Sequence, residues 1–304
     1  MSVAAAATEA PVRASGELAR SIVGDEEALR LAMAGHGYVF VRGLVPPDDL
    51  AALDAAQRTI LLGAGWASGG PGGRLHPEAA GAAEAATLVS SRPVQRALFS
   101  CEALHRVAHH PRLLALLGAL LDTSAVLRHP RPVARVAFPQ SLGGALPTPP
   151  HQDHVGMQGA TETYTAWIAL ESCGREDGAL AVAEGSHLGG IRPLRKVAGA
   201  RVFCCAAEGL EDSWRSADFD PGDVVVFHSH TVHAALANRS GALRRSVDCR
   251  YQRAADPVCE VSLREEGDLH WEEVYAGWGS AELERYWEAL PLQVVPFDPS
   301  LARS

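Results

Sequence analysis

Lysine is almost missing from this chain. Of its 27 basic residues only Lys196 is a lysine, and 36 acidic residues outnumber them to leave a formal net charge of −9. No basic stripe accompanies that balance, which argues against a nucleic-acid binder or a protein recruited to an anionic membrane. Long apolar runs are also absent, and no stretch approaches the roughly 20 residues that a membrane span needs. The start, MSVAAAATEAPVRASGE, lacks the basic leader and apolar core of a signal peptide. Residues 1–16 are therefore read as a flexible tail, and the protein as cytoplasmic. None of the six cysteines falls in a CxxC spacing, and Cys204 and Cys205 are adjacent, which suits neither a zinc site nor an ordinary bridge. They read as small buried hydrophobes in a reducing compartment.

The rest of the composition is that of a globular protein with a large core: 304 residues, 47% hydrophobic and 21% charged. Helices come first. Asp25 to Ala34 has acidic residues in its first turn and Gly35 just past its end, and Pro46-Pro47-Asp48-Asp49 opens a second helix after the strand Tyr38–Arg42. Two more helices are expected at Val94–Ala108 and Pro111–Leu121. Ahead of these two, Gly63 to Ala86 holds seven glycines and little periodicity, the signature of a disordered stretch or a lid. From Ala125 the pattern becomes β: Ala125–His129, Val133–Phe138, Thr163–Glu171, Gly178–Val182, Asp223–Phe227 and Arg244–Tyr251, separated by turn residues. The stretch His270–Leu290 looks helical and carries Trp271, Tyr275, Trp278, Tyr286 and Trp287. The plan is α+β with a mainly β core, and no point divides residues 17–304 into two domains.

Chemistry concentrates in two places. His151-Gln152-Asp153 follows Pro149-Pro150, which favours extended backbone. On a strand, His151 and Asp153 would project to one side and Gln152 and His154 to the other. Further on, Gly222-Asp-Val-Val-Val-Phe-His-Ser-His-Thr-Val-His233 offers three more imidazoles. Spacing alone leaves His228, His230 and His233 open. Two histidines and one carboxylate would hold a ferrous ion on one face and leave positions for oxygen and a cosubstrate. A nearby guanidinium such as that of Arg244 could grip a carboxylate with two parallel hydrogen bonds.

The run GDVVVFHSHTVHAALANRSGALRRSVDCRYQ resembles the iron-binding stretch of the phytanoyl-CoA dioxygenase family. GYVFVRGLVPPDDL, TPPHQDH and DGALAVAEGSH are similar to other parts of that family, so the likeness runs from about Gly37 to Gln252. One departure is Glu184, where the family commonly has proline. The resemblance implies a double-stranded β-helix (a cupin-like jelly roll, core about 125–252) with flanking helices and a helical segment at about 270–290. It places the metal ligands at His151, Asp153 and His233. It puts Arg244 on the 2-oxoglutarate carboxylate and Trp167 and Thr165 along the cosubstrate pocket. Ser246, two residues along the same strand as Arg244, would face the same way and could add a hydroxyl. Gln140 before the first ligands is a further cosubstrate candidate, and His187 reads as a structural turn histidine.

The function implied is an Fe(II)- and 2-oxoglutarate-dependent dioxygenase. With O2 it would hydroxylate an unactivated C–H bond of a small or medium metabolite of secondary metabolism, releasing succinate and CO2. Related halogenases replace the acidic ligand by a small residue, so Asp153 favours hydroxylation over halogenation. The same oxidative chemistry giving desaturation, cyclisation or epimerisation stays open. So do a metal-dependent hydrolase or isomerase on this fold and a non-catalytic binding barrel. The partner is a small molecule, and nothing in the sequence fixes the oligomeric state or the substrate.

Overall fold

Capping and turn chemistry set the helix ends in the computed structural model, which describes residues 12–86, 88–143, 147–200, 202–265 and 269–302. Helix α1 (Glu26–His36) begins where the Asp25 carboxylate accepts the Ala28 N–H at 2.9 Å, and buries Leu29 and Met33. It runs two residues past the expected end at Ala34. Gly37, at φ +78°, is the cap that returns its N–H to the Met33 carbonyl, and a Cβ there would lie 2.4 Å from His187 Nδ1. Helices α2 (Pro47–Gly63) and α6 (Pro111–Leu121) each start with a proline in the first turn, as the sequence indicates. The stretch expected as one helix over 94–108 is split into α4 (Leu88–Phe99) and α5 (Glu102–Ala108). The buried His105 ring bonds the Phe99 carbonyl at 2.7 Å, taking up an acceptor that the break leaves without a helical partner.

The glycine-rich stretch is not a structureless connection. It folds as a short hairpin, β3 (Ala67–Ser68) with β4 (His76–Pro77), followed by helix α3 (Ala79–Ala85). Trp66, Leu75, Ala82 and Ala85 are buried in the main hydrophobic core. Moving this stretch as a lid would break that packing. Glycine density hid these anchors from a periodicity reading.

The core strands are β1 (Gly16–Glu17), β2 (Tyr38–Val41), β5 (Val126–Arg128), β6 (Val133–Ala137), β7 (Tyr164–Ala169), β8 (Leu180–Ala183), β9 (Trp214–Ser216), β10 (Val224–His228), β11 (His233–Ala235) and β12 (Arg244–Arg253). They form a large sheet in the order β2-β10-β7-β12-β5, with β6 also on β12, and a small sheet β1-β9-β8-β11. This is the jelly roll with flanking helices. Most of the tail expected over 1–16 lies outside the described residues, but its last residues are ordered. Gly16 and Glu17 pair in parallel with Arg215 and Ser216.

Alternation on the large sheet divides two cores. Ala166, Ile168, Val224, Val226, Val247 and Tyr251 face the helices, while Trp167, Ala169, Val225 and Phe227 face Leu180 and Val182 of the small sheet. The Gly-Asp pair before β10 fastens this arrangement. Gly222 sits at φ +85°, and a Cβ there would fall 1.8 Å from the Val45 carbonyl oxygen. Asp223 accepts from the Gly43 N–H at 2.8 Å and from Arg42 at 2.6 Å.

The expected C-terminal helix is only partly present. Helix α7 (Asp153–Met157) follows the first ligand segment, and α8 (Trp271–Tyr275) is a single turn of the region expected at 270–290. Residues Tyr286–Ala289 form a 3-10 turn. Gly277 and Gly279 separate the two, the second donating its N–H to Glu102. Trp271, Tyr275 and Trp287 pack on Phe99 and Leu127, so their spacing reflects tertiary packing rather than a helix face. Strands β13 (Val258–Cys259) and β14 (Val294–Val295) pair in parallel and tie this region down. No helix among the described residues is long and apolar enough to cross a membrane.

Two fully enclosed imidazoles give a pH signature. Burial pushes His105 and His129 down to about 4, whereas the unfolded chain protonates them near the ordinary value of about 6.5. Between those values the unfolded state binds more protons, so stability is complete above about pH 6.5 and falls as the pH drops towards 4. Each site is expected to contribute a loss of about 3 kcal/mol by that point. Urea midpoints measured from pH 7 to pH 4.5 should decline accordingly. A flat series would contradict the neutral burial of both rings.

Candidate metal centre

His151 and His233 are partners in backbone pairing before they are partners in chemistry. The His151 N–H donates to the His233 carbonyl and the His233 N–H to the His151 carbonyl, both at 3.0 Å. Residues paired in this way present their side chains on one face, and the two rings stand 4.0 Å apart between centroids. Asp153 does not reach the same point by strand alternation as expected. It is the first residue of α7, and the chain bends there to bring Asp153 Oδ1 within 3.8 Å of both His151 Nε2 and His233 Nε2.

Each side chain is oriented from behind. His151 Nδ1 bonds the Pro149 carbonyl at 2.9 Å and His233 Nδ1 the Thr231 carbonyl at 3.0 Å. A carbonyl can only accept, so Nδ1 carries the proton on both rings and Nε2 keeps its lone pair. Burial, the largest cause, pushes His151 well below its ordinary value, and burial also lowers His233. Both rings are neutral, as a metal ligand requires. Burial works against the charge on Asp153, but the Arg250 guanidinium, helped by the Thr165 hydroxyl, outweighs it and holds the carboxyl below the usual range. Thr165 donates to Asp153 Oδ2 at 2.6 Å and Arg250 reaches the same oxygen at 3.4 Å, so Oδ1 is the oxygen turned to the histidines.

This donor set fits a divalent cation. His151 Nε2 is buried without a hydrogen-bond partner. Among the described residues, His151, Asp153 and His233 are the group whose ligand atoms all lie within 4.8 Å of one another. Two atoms that are each about 2.1 Å from one ion stand at most about 4.2 Å apart, and the 3.8 Å separations lie inside that limit.

The other expected residues distribute around this centre. Arg244 is buried, with Nε on the Gly178 carbonyl at 2.9 Å, one terminal nitrogen on Ser246 Oγ at 2.7 Å, and its guanidinium carbon 6.0 Å from the Trp167 ring centre. No carboxylate among the described residues lies within ion-pair distance of it, and burial lowers its proton affinity. Thr165 is placed otherwise than expected, because its hydroxyl is engaged by Asp153. Gln140 is exposed in a 3-10 turn at 140–142, its backbone N–H on the Asn238 carbonyl. His228 and His230 lie outside the triad and make tilted and edge-on ring contacts with His187 and His154. Arg245 faces the helices and pairs with Asp54 and Glu171.

Residues that spacing could not single out complete the surroundings. Arg250 is the counter-ion of Asp153. Gln152 pins the segment after β8 by donating to the Gly190 carbonyl at 2.8 Å and accepting from the Arg192 N–H at 2.8 Å. Because Thr165 fixes the non-ligating oxygen of Asp153, Thr165→Val is expected to weaken metal binding by about 10- to 100-fold with the fold intact. Anaerobic titration with Fe(II) measures this, and unchanged affinity would remove Thr165 from the positioning shell.

Residues 33–246 match the family model for phytanoyl-CoA dioxygenase. A relative, the 1-deoxypentalenic acid 11-beta-hydroxylase of Streptomyces exfoliatus, is 27% identical over 250 residues, which are 77% of this chain and 83% of that enzyme. Among solved structures, the epimerase SnoN in complex with Fe3+, alpha ketoglutarate and nogalamycin RO superimposes with a TM-score of 0.55 at 23% identity, covering 76% of this chain and 84% of that one. The carbocyclase SnoK from nogalamycin biosynthesis superimposes with a TM-score of 0.51 at 22% identity, covering 81% and 88%.

Proposed function

Since the chain belongs to the phytanoyl-CoA dioxygenase family and is an Fe(II)- and 2-oxoglutarate-dependent dioxygenase, we propose that it hydroxylates an unactivated C–H bond of a small or medium-sized metabolite. In this reading His151, Asp153 and His233 hold the iron, and Arg244 with Ser246 holds the far carboxylate of 2-oxoglutarate. The observation that carries it is the convergence of the three ligand atoms, together with a buried guanidinium that has no acidic partner among the described residues. When bound, iron supplies oxygen activation coupled to decarboxylation of the cosubstrate. The chain's own residues orient and insulate. The carbonyls of Pro149 and Thr231 keep Nε2 of each histidine free, Thr165 and Arg250 keep Asp153 ionised, and Trp167 walls the cosubstrate side with an apolar face.

The carboxylate at 153 and the hydroxylase relative both support hydroxylation as the outcome. The test has two stages. Anaerobic addition of Fe(II) and 2-oxoglutarate is expected to give a weak visible charge-transfer band that His151→Ala abolishes. A succinate-release screen over a metabolite collection, with mass analysis of the hits, then looks for the gain of one oxygen atom. A loss of two hydrogens or an unchanged mass would move the reading to desaturation or epimerisation. Absence of the band would end the dioxygenase reading of these residues.

A further inference from the structure

The inner face of the large sheet carries one positive charge more than the metal centre and its cosubstrate use. Residues opposite one another on antiparallel strands share a face, and alternate residues on a strand return to it. By the β12 register, Arg244, Ser246, Asp248 and Arg250 point inward, and Arg135 of β6 stands opposite Ser246 on that same face. Arg135 Nε donates to Asp248 Oδ2 at 2.7 Å. No other partner among the described residues takes its two terminal nitrogens. Its side chain keeps 29% of its surface accessible, whereas Arg244 is enclosed, so Arg135 is the one of the two that solvent reaches. Its charge is felt at His151, His233 and Arg244 alike.

Charge balance shows what is left for it to do. On this face and at the triad, the guanidiniums of Arg135, Arg244 and Arg250 oppose the carboxylates of Asp153 and Asp248, which leaves one positive charge over. A divalent ion and a dianionic cosubstrate cancel each other and do not remove that surplus. Burying an uncompensated charge beneath a bound substrate is costly, and an anion on the substrate offsets it. Apolar surface lies beside this region. The segment after β8, docked on the first ligand segment by Gln152, exposes Leu188, Ile191 and Phe203, and Phe203 rests against Gly156 of α7.

We propose that Arg135 is the specificity-determining residue that binds an anionic group of the substrate, and that the substrate class is a compact apolar scaffold bearing one carboxylate. The assignment rests on the dioxygenase reading above and deepens it. Asp248 fixes Nε and so aims the terminal pair of nitrogens, the planar fork that matches a carboxylate.

The test is calorimetric titration of the anaerobic Fe(II)- and 2-oxoglutarate-loaded protein with four probes: cyclohexanecarboxylate, adamantane-1-carboxylate and the two corresponding carboxamides. The expected result is tighter binding of the acids by about tenfold or more. Arg135→Gln should reduce that preference to within about twofold, and Arg135→Lys should keep most of it. In both variants the 2-oxoglutarate concentration that half-saturates the charge-transfer band should stay as in the unmodified protein. Equal binding of acid and amide, or no binding of any probe, overturns the assignment while the band leaves the dioxygenase reading standing. Weakened 2-oxoglutarate binding in Arg135→Gln also overturns it, by giving Arg135 to the cosubstrate. If the unmodified protein forms no band, the dioxygenase reading fails and this assignment falls with it.

Discussion

Replacing Arg244 by leucine is expected to weaken 2-oxoglutarate binding by roughly two to three orders of magnitude while leaving the protein folded. Removing one partner of a buried, hydrogen-bonded charge pair costs about 2–5 kcal/mol, and each 1.4 kcal/mol is about tenfold in affinity. The geometry places Arg244 at the upper part of that range. Its guanidinium is enclosed, oriented by the Gly178 carbonyl and Ser246, and stacked near Trp167. A second consequence separates this role from a structural one. A buried guanidinium without a counter-ion destabilises the protein that carries it. The leucine variant without cosubstrate should therefore melt at least as high as the unmodified protein. Added 2-oxoglutarate should raise the melting temperature of the unmodified protein and not that of the variant. Arg244→Lys keeps the charge but loses the planar fork, so it should fall between the two. Unaltered 2-oxoglutarate affinity in Arg244→Leu would remove the residue from the cosubstrate site.

Much of this architecture is legible in the sequence, and the reasons differ from element to element. Strands β7 and β10 declare themselves as apolar runs bounded by turns, because they are buried on both faces or nearly so. Strand β11 does not, since three residues starting at His233 carry no periodicity, yet it delivers one of the three clustered side chains. His151 and Asp153 share a motif, but alternation on a strand is not what unites them. Asp153 turns inward because α7 starts there. The glycine-rich stretch misleads for the opposite reason, since its anchors lie far along the chain: Trp66 packs on Phe138, and the Leu75 carbonyl accepts from the Leu243 N–H.

What the sequence hides is the ring of groups around the centre. Arg250 meets Asp153, and Arg135 meets Asp248, across about a hundred residues of chain with no spacing to announce either pair. In a chain where nearly every basic residue is an arginine, composition cannot say which ones face inward. Only the register of β6, β7 and β12 does so. Gln140 shows the converse: a polar residue at a plausible distance before the first ligands lies on the surface, because the chain leaves β6 through a 3-10 turn before returning to His151.

Asp153→Ala is expected to abolish iron binding and reduce 2-oxoglutarate turnover to background, since two imidazoles remain where a third, anionic donor was. The same change should also cost stability in the metal-free protein, and the two effects have different causes. Asp153, itself buried, is the counter-ion of Arg250, whose side chain keeps 13% of its surface exposed. Stripping one member from a buried pair typically costs about 3–5 kcal/mol, because the remaining charge is stranded, whereas removing both members is far cheaper. The double variant Asp153→Ala with Arg250→Met should therefore recover most of the lost denaturant midpoint while its iron binding stays at zero. Asp153→Asn, which keeps the shape and the Thr165 contact, should unfold less readily than Asp153→Ala yet hold iron weakly for want of the negative charge. Recovery of stability without recovery of metal would show that the pair with Arg250 serves to keep a ligand charged in a dry interior. If iron binding instead returned in the double variant, Asp153 would not be a ligand, and the loss in the single variant would be one of folding alone.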